Sequence, residues 1–90
     1  MDKNVAHQEI EPSIRQFIAA RLLYSQDGFQ YADHTPLLQE GIIDSLGVVE
    51  LVEFVQTRFG VQVAQQEVRP DNFDSVARLA AYVRRKQTSS

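Results

Sequence analysis

The chain has 90 residues, 43% of them hydrophobic and 23% charged, with a net charge of −3 and no cysteine. This length supports one small core but not two, and the composition is globular rather than disordered. Without cysteine there is neither a disulfide framework nor a thiolate metal site. The opening Met1–Asp2–Lys3–Asn4 is polar, and the stretch "FIAARLL" is short and broken by Arg21. Neither a secretory leader nor a membrane span fits these patterns, so a cytoplasmic protein off the membrane is expected.

In chain order, the first predicted element is a helix from about Ile10, where Ile14, Phe17, Ile18, Leu22 and Leu23 recur at helical spacing. Pro12 suits its first turn, and the helix should fade between Tyr24 and Gly28. A second helix is expected from Ser45 to Arg58, with Val48, Leu51, Val52, Val55 and Phe59 on one face. Leu46 and Val49 broaden that stripe, and Gly60 is placed as its stop. Residues 65–73 contain Pro70 and are expected to form one short helical turn. A last helix begins near Ser75, capped by Ser75 or Asp74, with Val76, Leu79, Ala80 and Val83 facing the core. Arg84, Arg85 and Lys86 oppose its C-terminal dipole, and "QTSS" is expected to fray. No strands are expected, because "VQV" at 61–63 is too short.

The connection from Gln26 to Asp44 is far longer than the ~4–6 residues usual between helices. It holds Phe29, Tyr31, Leu37, Leu38, Ile42 and Ile43, too much apolar surface to leave in water. It should pack across the helices, with Leu38 and Ile42 in the core, and deliver Ser45 to a helix N-terminus. Such a terminus offers unpaired N–H groups and a positive dipole end, which suit a phosphate. Asp44 is placed to cap it. No G-x-S-x-G elbow surrounds Ser45, and His7 and His34 stand outside any triad-like setting, so serine catalysis is not expected.

Charge is distributed unevenly. Between Arg21 and Arg58 there is no lysine or arginine, and Asp27, Asp33, Glu40, Asp44, Glu50 and Glu53 give a local balance of −6. The remaining six acids meet nine basic residues, for +3 elsewhere. The acidic half around Ser45 repels nucleic acid and attracts basic protein surfaces. Taken singly, each of these acids is more simply read as a solvating surface charge.

The stretch "GIIDSLGVVELVEFVQTRFGVQV", followed by "NFDSVARLAAYV", resembles the phosphopantetheine-binding carrier proteins: acyl, peptidyl and aminoacyl carriers. The likeness runs over roughly residues 8–86, nearly all of a chain read as one carrier domain, 1–90, with a short flexible N-terminus and C-terminal tail. It implies an all-α four-helix bundle of three main helices and one short one, with a long first loop. It also implies that Ser45 receives 4′-phosphopantetheine from coenzyme A through a separate phosphopantetheinyl transferase. Asp44, besides capping, would aid that modification, and Leu46 completes the D-S-L motif. A carrier of this kind is not an enzyme. Its thiol is imported on the prosthetic arm, and its partners are an adenylating ligase or acyltransferase and downstream biosynthetic enzymes. Glu50 and Glu53, with Val49, are the expected partner contacts on a monomeric protein.

The chain departs from the fatty-acid carriers at Ile42–Ile43, at Gly47 and at Gln56–Thr57–Arg58. Glu53 stands where those proteins often have an apolar contact residue. "IIDSLG", Phe54 and "RPDNFDS" are more similar to discrete carriers of amino acids or small specialised acyl groups, charged by adenylating enzymes. Nonribosomal peptide or polyketide-type biosynthesis, including antibiotic biosynthesis, is therefore the expected setting. A fatty-acid or polyketide acyl carrier, and an unmodified helical interaction module, are the two other readings.

Overall fold

A computed structural model describes residues 10–88; the expected flexible N-terminus, His7 and the final two serines of "QTSS" lie outside them. Four α-helices are described: α1 (Ile10–Phe17), α2 (Ser45–Phe59), α3 (Pro70–Phe73) and α4 (Val76–Thr88). There is no strand among the described residues. The architecture is the all-α, acyl-carrier-like arrangement expected, three main helices and one short one with a long first connection.

The helices begin and end for local reasons. Pro12 lies in the first described turn of α1, where its fixed φ suits the helix. Gly60 closes α2 in the left-handed conformation at φ 71°, its N–H bonded to the Gln56 carbonyl. Ser75 caps α4, its Oγ accepting the Arg78 N–H at 3.0 Å. Asp74 is not that cap. α4 continues through Gln87 and Thr88, so this part of the expected frayed tail is helical.

α1 passes directly into a π-helical turn, Ile18–Leu22, in which the Leu23 N–H reaches back five residues to the Ile18 carbonyl at 2.9 Å. Such wide turns are rare and favour functional sites. Tyr24 then adopts a left-handed backbone at φ 52°, uncommon for a bulky side chain, and turns the chain into the long loop.

Ile10 and Ile14 from α1, Ile18 from the π turn, Leu51 and Val55 from α2, and Val76, Leu79, Ala80 and Val83 from α4 form the core, each at 1% exposure or less. Phe73 of α3 and Tyr82 of α4 close its far end, with ring centroids 5.4 Å apart. The second helix differs from its expected stripe. Leu46 and Val49 do not widen the buried face; they project into solvent.

The loop is packed, but through different residues than expected. Leu37 and Ile43 are buried, whereas Leu38 and Ile42 are half-buried at the edge of the core and Tyr31 is exposed. Backbone bonding explains the choice. Asp74 is buried at the start of α4, where its carbonyl accepts the Leu37 N–H at 2.7 Å and its Oδ1 accepts the Leu38 N–H at 2.6 Å. A turn follows in which both Ile42 and Ile43 donate to the Leu37 carbonyl. Leu37 is thereby the fixed point, and its side chain points inward. Upstream, the Asp33 carbonyl accepts the Ala77 N–H of the first turn of α4, while the Asp33 carboxylate takes Arg15 of α1 at 2.7 and 2.8 Å. One loop residue thus ties α1 to α4.

The expected single turn over 65–73 is two pieces, a 3₁₀ turn (Gln65–Glu67) and α3, with Pro70 at the first position of α3. Glu67 anchors the first piece. Its Oε1 accepts from the Ala64 N–H, the Tyr82 hydroxyl and Lys86 Nζ. Those bonds, the backbone one first, pull its carboxyl down to about 2. Burial first, then Glu67, pushes the Tyr82 hydroxyl above its usual range. The basic end of α4 is likewise engaged: Arg84 holds Glu11 of α1 in a two-pronged pair, both contacts 2.7 Å, and Arg85 donates to Asn72.

Candidate functional site

The chemistry gathers where the loop meets α2. Asp44 has an extended backbone, and its Oδ1 accepts the Gly47 N–H at 3.0 Å while its carbonyl accepts Val48 N–H at 3.2 Å. It is therefore the N-cap, satisfying one of the first-turn donors through its side chain. Ser45 follows as the first helical residue and is exposed. Among the described residues neither its hydroxyl nor the N–H groups of Ser45 and Leu46 have a hydrogen-bond partner, so these donors face solvent beside the hydroxyl. This is an environment that accepts an added phosphate, because the dipole end and the N–H groups stabilise negative charge.

Gly47 sets how closely α2 approaches the loop. A Cβ at this position would stand 3.2 Å from Ile43 Cβ and 3.5 Å from Leu22 Cδ1. The glycine, read from sequence only as a departure from one group of carriers, has a packing role: it lets the helix rest on Ile43 and the π turn.

Leu46, Val49, Glu50 and Glu53 fall at the i, i+3, i+4, i+7 positions of α2 and are all exposed, Leu46 to 72% and Val49 to 55%. The four make one continuous face of two apolar side chains and two carboxylates running away from Ser45. The acidic field is weaker than counting along the chain implies. Asp33 is neutralised by Arg15, and Arg21, at the edge of the acidic interval in sequence, reaches the site in space. His34 is exposed in the loop.

Sequence reasoning missed the other wall of the site. An open groove of ≈ 190 Å³ runs beside the start of α2, between the π turn and the end of the loop. Arg21, Leu22 and Tyr24 line one side, and Ile42, Asp44 and Leu46 the other. No periodicity joins residues 21–24 to residues 42–46; only the folding of the loop brings them together.

Residues 12–83 match the family described as "Phosphopantetheine attachment site". The chain is 32% identical over 77 residues to the probable acyl carrier protein PigG of Serratia sp. (strain ATCC 39006), covering 84% of this chain and 86% of that protein. It is 38% identical over 50 residues to the D-alanyl carrier protein of Abiotrophia defectiva, covering 56% and 63% respectively. With a helical bundle, a long first loop and a family match over most of its length, the chain belongs to the phosphopantetheine-binding carrier proteins, whose prosthetic group is a covalently attached 4′-phosphopantetheine.

Proposed function

We propose that Ser45 is the attachment site and that the chain carries an amino acid or small acyl group as a thioester on the arm bound there. The observation that carries this reading is the exposed, unbonded hydroxyl at the first position of α2, next to unpaired backbone N–H groups. On modification by a phosphopantetheinyl transferase, a bond forms between Ser45 Oγ and the pantetheine phosphate of coenzyme A. The pyrophosphate link breaks, adenosine 3′,5′-bisphosphate leaves, and the serine proton passes to a base of the partner enzyme. Asp44 keeps the first turn in place while this occurs, and the helix terminus stabilises the new phosphodiester. The bound arm supplies a terminal thiol, which the cysteine-free chain lacks. Ser45 is an acceptor in this scheme rather than a catalyst, and the whole chain acts as one carrier domain.

Leu46, Val49, Glu50 and Glu53 form the face offered to partners. The apolar pair gives contact area, and the carboxylates steer basic enzyme surfaces toward the arm. These partners are the transferase, an adenylating ligase that supplies the cargo, and downstream enzymes of nonribosomal peptide or polyketide-type biosynthesis. Likeness to a D-alanyl carrier and the residues Ile42–Ile43, Gly47 and "NFDS" favour an aminoacyl or small acyl cargo. Likeness to a probable acyl carrier protein supports the second reading, a fatty-acid or polyketide acyl carrier.

Intact mass after incubation with coenzyme A and a broad-specificity transferase tests the attachment. The mass rises by one phosphopantetheine group, and Ser45→Ala abolishes the rise. A wild-type chain left unmodified beside a modified control carrier would remove the reading and leave the fold untouched. Charging the holo form with aminoacyl adenylates against long fatty acyl groups decides the cargo; success with only the latter selects the second reading.

A further inference from the structure

The groove beside Ser45 shares Leu46 and Glu50 with the partner face of α2, but its opposite wall, Arg21, Leu22 and Tyr24, has no part in that face. It combines one cation, Arg21, with apolar side chains from three segments: Leu22 on the π turn, Ile42 at the end of the loop and Leu46 on α2. Tyr24 stands at its rim. Its backbone is held left-handed at φ 52°, yet its ring is 83% exposed, so no burial of the ring compensates that conformation. Asp44 and Glu50 also line the groove, which makes Arg21 the single positive group there among the described residues. The nearest covalent neighbours of Ser45, Asp44 and Leu46, both face it.

We propose that this groove cradles the near half of the carrier's own prosthetic arm. The reading rests on Ser45 as attachment site. Arg21 pairs with the phosphodiester, offsetting the repulsion of Asp44 and Glu50, and its fork geometry suits two phosphate oxygens. The branched dimethyl carbon of the arm packs between Leu22, Ile42 and the Tyr24 ring. A groove of ≈ 190 Å³ takes this part and leaves the thiol end outside, free to present cargo. Gly47 contributes indirectly, because the close approach it permits brings α2 against Leu22. The π turn has a matching role: widening the last turn of α1 carries Arg21 and Leu22 toward the start of α2.

The test uses full-length chain converted to the holo form and verified by intact mass before any spectrum is taken. In isotope-labelled protein bearing an unlabelled arm, nuclear Overhauser contacts are sought from the geminal methyl groups of the arm. Contacts to Leu22 and the Tyr24 ring, with a shift of the Arg21 side-chain N–H between apo and holo forms, are expected. Holo Arg21→Gln loses the phosphate-linked shift and holo Tyr24→Ala loses most methyl contacts. Both side chains are exposed, so neither substitution opens the core, and circular dichroism checks this. Perturbations confined to residues 44–47 in the wild type would overturn the proposal, as would methyl contacts that survive in both variants. Contacts on the α3 side of α2 would overturn it as well. A wild-type chain that gains no mass fails at the earlier step, and that failure counts against the attachment reading itself.

Discussion

Replacing Leu37 by alanine is the sharpest test of how the long loop is held. Leu37 is 1% exposed, and its N–H and carbonyl fix the loop to Asp74 and to the turn at Ile42–Ile43. Alanine keeps those backbone bonds and removes only the buried side chain. Truncation of a fully buried leucine costs ~2–5 kcal/mol, because transfer and cavity terms add. A small domain has about 5–15 kcal/mol in total, so from roughly an eighth of the stability to all of it is at stake. In a domain of this size each kcal/mol moves the thermal midpoint by roughly 4–8 °C, which places the loss at about 8 °C or more. Leu38→Ala is the internal control. Its side chain is half-buried and its backbone N–H stays on Asp74, so it should cost no more than about half as much. Thermal and urea unfolding followed by circular dichroism measures both. An unchanged midpoint for Leu37→Ala, or a larger loss for Leu38→Ala, would refute the assignment of Leu37 as the anchor.

Gly47→Ala places a methyl 3.2 Å from Ile43 Cβ, an atom close to the backbone that cannot swing away. Overpacking of ~1–3 kcal/mol against a helix-propensity gain of ~1 kcal/mol predicts a net loss of up to about 2 kcal/mol, read by urea denaturation; a stabilised variant would contradict the close contact. Glu67 is held at about 2 against an ordinary 4.5, so its contribution is present above pH 4.5 and is lost as pH falls toward 2. Glu67→Gln should be less stable than wild type at pH 7 and should flatten that acid limb; parallel pH–stability curves for the two proteins would exclude the network. Tyr82, shifted upward, adds stability that is present below pH 10 and is lost as pH rises above it, so Tyr82→Phe should flatten the alkaline limb. Charge reversal at Glu50 and Glu53 together should slow loading by a cognate enzyme at low salt while helicity is retained, each exposed pair contributing ~0.2–1 kcal/mol; loading indifferent to both reversal and salt would remove the docking face.

The helices and the serine were legible in the sequence because their signals are local. Apolar spacing marked Ile14 and Ile18, Leu51 and Val55, and Leu79 and Val83 as inward-facing, and an i, i+4 repeat lies within one segment whatever the rest of the chain does. The Asp44 cap, the Gly60 stop and the Ser75 cap are equally short-range, since each side chain or backbone conformation answers donors a few residues away. The loop has no such repeat. Which of its apolar residues went inside depended on Asp74, 36 residues beyond Leu38: it holds the Leu37 and Leu38 N–H groups, the following turn closes on the Leu37 carbonyl, and Leu37 and Ile43 face inward in place of Leu38 and Ile42. The fate of Leu46 and Val49 shows the other limit. Periodicity counts them as apolar, but the bundle covers only part of the circumference of α2 and leaves their side in water. Charges behaved in the same way: Asp33 found Arg15 eighteen residues away and Arg84 found Glu11 across seventy-three. Local patterns located the three main helices and the serine at the start of α2, but not the π turn or the split of 65–73. The groove beside that serine arises from the tertiary fold alone, because Arg21, Leu22 and Tyr24 become its neighbours through the path of a loop anchored to the other end of the chain.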